Sequence, residues 1–246
     1  MKVLFAGPSL YGSTIDLGGI DLRPPAAQGD LLRATFDGAS VIGLVDGNFE
    51  AVASVWHKEI LFALSEGVRV LGAASMGALR AAECAAFGME AVGKVAADYC
   101  AGRLDDDAAV AQLHGPAELG YLPLTETLVD VAATLERLLA AGAISPFEHR
   151  RLEQSAQCIF FKERTIDAII AGSEITDRAS QLRQLYRQQH FSIKRQDAEA
   201  LVRLMREYPD IRSTRQGDWE LSQSVFLRKL LGQGVLPPNG VTAPIT

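Results

Sequence analysis

The run 70–88 reads Val-Leu-Gly-Ala-Ala-Ser-Met-Gly-Ala-Leu-Arg-Ala-Ala-Glu-Cys-Ala-Ala-Phe-Gly, and it narrows what this chain can fold into more than any other stretch. Val68, Val70 and Leu71 form a short apolar segment with the character of a buried strand. Gly72, Ala73 and Ala74 let the backbone turn sharply. Ser75 stands at a helix N-cap position, and 76–86 is dominated by Ala and Leu, the best helix formers. Ser75 then sits at the carboxyl end of a strand and the positive end of a helix dipole, with the first-turn N–H groups facing outward. A hydroxyl beside such donors has what acyl transfer needs, a nucleophile with an oxyanion hole. The same serine also serves as a plain cap, and Ala-x-Ser-x-Gly departs from the usual Gly-x-Ser-x-Gly.

Upstream, 3–6 is a short apolar strand that ends at Gly7-Pro8-Ser9. Residues 11–30 are rich in Gly and Pro and read as a long loop, with Arg23-Pro24-Pro25 extended and Gly29-Asp30 opening a short helix. The second strand, 41–45, ends at Asp46-Gly47. A helix is expected over 49–65, with Phe49, Val52, Trp56, Ile60 and Ala63 at spacings of three and four. Strands alternating with helices give an α/β fold: an open, mostly parallel, Rossmann-like sheet with helices on both faces and right-handed crossovers. Sites in such sheets form outside the carboxyl ends of the strands, which here gather Ser9, Asp46 and Ser75. No Gly-x-Gly-x-x-Gly and no Gly-x4-Gly-Lys-Ser/Thr follows a strand, so no dinucleotide or P-loop site is expected.

On the 49–65 helix, Glu50, Ser54, His57, Lys58 and Ser65 make a polar stripe. Glu59 borders the apolar side, where a carboxylate either pairs with a cation or has a raised pKa, as suits a general base. Arg80 can lean back towards the Ser75 turn and hold a carboxylate, or pair with Glu83 one turn away. Residues 93–101 and 108–113 fit either a strand or a short helix. Asp105-Asp106-Asp107 reads as a solvated run rather than a metal site, and His114 is a loop histidine that could act as a base.

From 126 on the chain reads as successive helices: 126–141, 146–160, 164–171, 176–189, 196–208 and 221–231. Leu128, Val131, Leu135 and Leu138 form the core stripe of the first. The expected organisation is an α/β core over 1–140, an all-helical region over 141–232 and a flexible tail over 233–246. With 48% hydrophobic and 22% charged residues and a net charge of −6, the chain lacks the basic stripe of a nucleic-acid binder. No apolar run is long enough to span a membrane and no signal-peptide pattern is present. Three cysteines without metal spacing read as reduced thiols of a cytoplasmic protein. Four scattered histidines offer no helix-borne metal pair, and no metal or other cofactor is expected.

Several blocks taken together resemble the TfuA-like core domain, in its order, over roughly 1–135. They are Gly7-Pro8-Ser9-Leu10, Arg23-Pro24-Pro25-Ala26 with Gly29-Asp30-Leu31, Asp46-Gly47-x-Phe49, and Val55-Trp56-His57-Lys58-Glu59-Ile60-Leu61. The Gly72–Glu83 block, Phe87-Gly88-Met89 and Asp106-Asp107 with His114 complete the set. Asp107-Ala108-Ala109-Val110 departs from the Asp-Glu-Val expected there. The resemblance implies a sulfur-delivery component of YcaO-dependent peptide thioamidation. It would hydrolyse the C-terminal thiocarboxylate of a ubiquitin-like sulfur carrier and release sulfide to the YcaO enzyme that acts on a precursor peptide. In that setting Ser75 is the nucleophile and the Met76 and Gly77 N–H groups hold the oxyanion. His57, Lys58 or Glu59 is the base, and Asp46 orients a neighbour. Arg80 and Arg23 anchor the carrier tail, with Ser9 and His114 lining the substrate site. The alternative is a non-catalytic adaptor that docks on YcaO and promotes binding of the precursor peptide.

Overall fold

The computed structural model describes residues 1–48, 50, 52–213, 219–222 and 224–232; Phe49 and the tail 233–246 lie outside the described residues. Five strands form one parallel sheet in the order β2–β1–β3–β4–β5: β1 (Lys2–Phe5), β2 (Ile20–Arg23), β3 (Val41–Leu44), β4 (Arg69–Ala73) and β5 (Glu90–Val92). Lys2 lies opposite both Ile20 and Val41, Val41 opposite Arg69, and Leu71 opposite Glu90. The expected α/β class and parallel sheet are therefore observed. The strand order reverses between β1 and β3, the place where a doubly wound sheet opens a crevice at its carboxyl edge.

Two strands were not expected. β2 lies inside the 11–30 stretch read as loop, and its Ile-Asp-Leu-Arg is only half-buried along one edge of the sheet. β5 is the other edge and has three residues. Residues 93–101 resolve as a helix, α4 (Gly93–Cys100), and 107–109 as a single 3-10 turn.

Side chains of the inner strands alternate between two cores, as the pleat requires. Val3, Phe5, Ile42, Leu44 and Val70 face α1 (Asp30–Phe36), α2 (His57–Ser65) and α3 (Met76–Cys84) through Leu31, Ala34, Ile60, Leu61 and Ala81. Leu4, Ala6, Val41, Val45, Leu71 and Ala73 face the opposite side, where one helix from late in the chain, α9 (Ile193–Glu207), supplies Ala198, Leu201, Val202 and Met205. A Cβ on Gly43 would meet the Met205 sulfur at 2.4 Å, so glycine in β3 is what admits α9 this closely. Between them in the chain, α5 (Leu128–Ala140), α6 (Pro146–Cys158), α7 (Ile166–Gly172) and α8 (Ala179–Gln189) pack round a core of their own, with Val131, Leu135, Leu138, Leu152 and Ile169. The last described element is α10 (Val225–Gly232). No helix among the described residues is long and apolar enough to cross a membrane.

The helix expected over 49–65 begins only at His57. Glu59 stops it from extending backwards, because its carboxylate accepts the Trp56 N–H (3.1 Å) and the Gly29 N–H ahead of α1 (2.7 Å). Glu59 is fully buried there, and burial pushes its carboxyl up to about 7 against the pull of those donors. The folded chain thus keeps a proton that the unfolded chain, with a carboxyl near 4.5, gives up. Stability is expected to fall as pH rises through that window, by about 3 kcal/mol in all. Urea unfolding at the two ends of the window measures the drop, and Glu59→Gln is expected to flatten it.

Candidate functional site

Ser75 stands between β4 and α3 on a backbone held out of its ordinary range. Ala74 has φ = 64° and the Ser75 N–H donates to the Ala73 carbonyl two residues back (2.7 Å), the rare and strained form of a γ-turn. The first turn of α3 is clamped against the end of β3. The Gly77 N–H donates to the Val45 carbonyl (3.1 Å), and a Cβ on Gly77 would lie 1.8 Å from the Leu44 carbonyl oxygen. The Ser75 hydroxyl makes no cap bond to α3 and has no partner among the described residues. It is half-buried and opens into a cleft of about 550 Å³.

The cleft lies across the carboxyl ends of the inner strands. Pro8, Pro25, Asp46, Gly47 and Asn48 form one wall, with Ser75, Met76, Leu79 and Arg80 beside them. The loop 110–114 faces these, and Phe161 and Lys162, between α6 and α7, close a third side. Lys194 from α9 completes the lining. Asp46 is buried and fixes the geometry of the wall: its carboxylate accepts the Gly7 N–H (2.8 Å), the Ser9 N–H (3.0 Å) and the Ser9 hydroxyl (2.7 Å). The group that Asp46 holds in place is thus the turn after β1.

His114 lines the cleft with its Nδ1 bonded to the Gly115 carbonyl (2.8 Å) and its ring edge-on to Tyr121. A carbonyl can only accept, so Nδ1 carries the hydrogen and Nε2 of the neutral ring keeps its lone pair. Arg80 reaches the cleft while donating to the Val55 carbonyl (3.0 Å) and to Glu83 (2.6 Å). Lys162 is ion-paired with Glu50, another cleft residue.

Several expected site residues lie elsewhere. His57 pairs with Glu83 (2.8 Å), Lys58 donates to the Ser222 carbonyl (3.3 Å), and Glu59 is sealed between two helix starts; none of the three lines the cleft. Arg23 is held by Asp21 and Asp37 at 2.9 Å each and is also outside it. Ser9 is buried against Asp46 and presents no hydroxyl to a substrate. Gly77 has no free N–H to offer an oxyanion, whereas the Met76 N–H has no acceptor among the described residues. The sequence reading missed Lys162 and Lys194. Lys194 carried a signal, because it shares the helical spacing of Asp197, Ala198, Leu201 and Met205, the buried stripe of α9.

Residues 46–165, which hold Asp46, Ser75, Arg80 and His114, match the family described as TfuA-like protein. No curated protein matches the sequence.

Proposed function

We propose, for a chain that is a TfuA-like domain protein, that the cleft hydrolyses the C-terminal thiocarboxylate of a ubiquitin-like sulfur carrier and delivers the sulfide to a YcaO enzyme. The family itself is associated with YcaO partnership and with YcaO-associated thioamidation. The hydrolytic step rests on one observation: an unbonded serine hydroxyl on a strained turn opens into a cleft that also holds an available imidazole nitrogen.

In this reading His114 Nε2 takes the Ser75 proton as Oγ attacks the thioacyl carbon. The Met76 N–H donates to the oxygen that becomes negative, and the Arg80 guanidinium steadies the approaching anionic tail. Collapse of the intermediate breaks the C–S bond, and the imidazolium returns its proton to the departing sulfur, which leaves as hydrosulfide. Water, relieved of a proton by the same imidazole, then cleaves the Ser75 ester. One thiocarboxylate and one water become one carboxylate, one hydrosulfide and one proton, with no oxidant or reductant needed.

Purified protein mixed with thiocarboxylated carrier, in the absence of YcaO, is expected to release sulfide in proportion to the amount of protein. Sulfide that forms only once YcaO is added would leave the adaptor that presents the precursor peptide.

A further inference from the structure

One charge in the cleft has no part in the steps above. Lys194, the second residue of α9, is 1% exposed, yet it lines the cleft. Its ammonium donates to the Val110 carbonyl (2.9 Å) and to Gln112 Oε1 (3.4 Å). An ammonium has three N–H groups, so one is left over. Burial pulls its pKa below the ordinary lysine value, and the fields of Asp46 and Asp130 work against that. Both are already engaged: Asp46 by Gly7 and Ser9, and Asp130 by the Ser192 hydroxyl (3.0 Å) and the Lys194 backbone N–H (3.1 Å). Neither comes within ion-pair distance of Nζ. A buried cation without a contacting anion is costly, and it is normally matched by one. Lys194 borders the cleft that holds Ser75.

We propose that Lys194 is the anion-binding centre of the cleft, its free N–H taking the terminal oxygen or sulfur of a carboxylate or thiocarboxylate. The inference rests on the reading of the substrate as an acyl anion and adds the residue that recognises it. Residue 194 lies beyond the matched region 46–165, so the helical half of the chain completes the site rather than merely adjoining it. Charge-assisted hydrogen bonds of this kind are roughly twice as strong as neutral ones, and a site built to satisfy one discriminates against a neutral end group.

The test compares a short peptide copying the carrier's C-terminus in its carboxylate form with the same peptide ending in a carboxamide. The wild-type protein is expected to bind the carboxylate about tenfold or more tightly. Lys194→Met should bind both forms alike, and Lys194→Arg should restore part of the preference. Because Lys194→Met could fail to fold, the ¹⁵Nζ resonance of Lys194 in the wild-type protein gives a second reading. It should shift on adding the carboxylate peptide and stay put with the carboxamide. Equal binding of the two peptides by the wild type, or an unchanged preference in folded Lys194→Met, overturns the inference even if sulfide release is intact. Conversely, a Lys194-dependent preference without sulfide release upholds it and removes the hydrolytic step instead.

Discussion

Ser75→Ala is expected to lower sulfide release from a thiocarboxylated carrier by about 10³-fold or more while leaving the unfolding midpoint where it was. The pairing of the two readouts separates the nucleophile from the plain helix cap. A capping serine gives its protein about 1 kcal/mol, lost on substitution by alanine. Here the hydroxyl makes no cap bond to α3, so its removal leaves no donor of that helix deserted. Loss of stability with activity intact would make Ser75 a cap after all. Loss of activity alone identifies the group that attacks. His114→Gln belongs in the same assay, since it removes the lone pair at the cleft while the ring's neighbours stay in place.

Gly77→Ala is expected to cost more than about 3 kcal/mol of folding stability and to abolish any activity of the cleft. The added methyl would meet the Leu44 carbonyl oxygen at 1.8 Å and its carbon at 2.6 Å, and neither can rotate away as a side chain could. The start of α3 must lift off β3, breaking the Gly77–Val45 hydrogen bond and moving Ser75 with it. Gly115→Ala serves as the control, for its nearest neighbours would stand at an ordinary 3.5 Å. Thermal unfolding of the two variants side by side measures the difference, and similar melting temperatures would mean that the clamp yields more easily than its geometry says.

How much of this could be read from residues alone differs from element to element for physical reasons. β1, β3 and β4 are covered on both sides, so they appear as unbroken apolar runs, and their order of alternation with helices already implied the sheet. β2 borders solvent and mixes Asp and Arg with its apolar residues, which is how a loop also looks. The carboxyl-edge rule gathered Ser9, Asp46 and Ser75; Asp46 and Ser75 line one cleft, while Ser9 is turned against Asp46. His57, Lys58 and Glu59, which the helix pattern and the resemblance had offered, lie outside that cleft, and α2 starts eight residues later than its apolar spacing suggested. Glu59 shows both outcomes at once. Its raised pKa follows from the apolar side on which it lies, but the burial that raises it also seals it away from the cleft. Lys162 and Lys194 come from segments with no strand nearby in sequence, and only tertiary packing brings them in.

Because α9 covers the second side of the sheet, the order in which the chain is made differs from the order in which its interior can close. Leu4, Val41 and Leu71 emerge from the ribosome early, but their covering residues Leu201 and Met205 follow only after the four-helix cluster has been completed. Until then the newborn sheet shows water a continuous oily surface, the kind that sticks to neighbouring chains. Closing it joins positions about 130 to 200 residues apart, which makes a slow final step of maturation the natural outcome. The same late arrival brings Lys194 to the cleft, so a half-finished chain would hold its serine in a pocket that still lacks this charge.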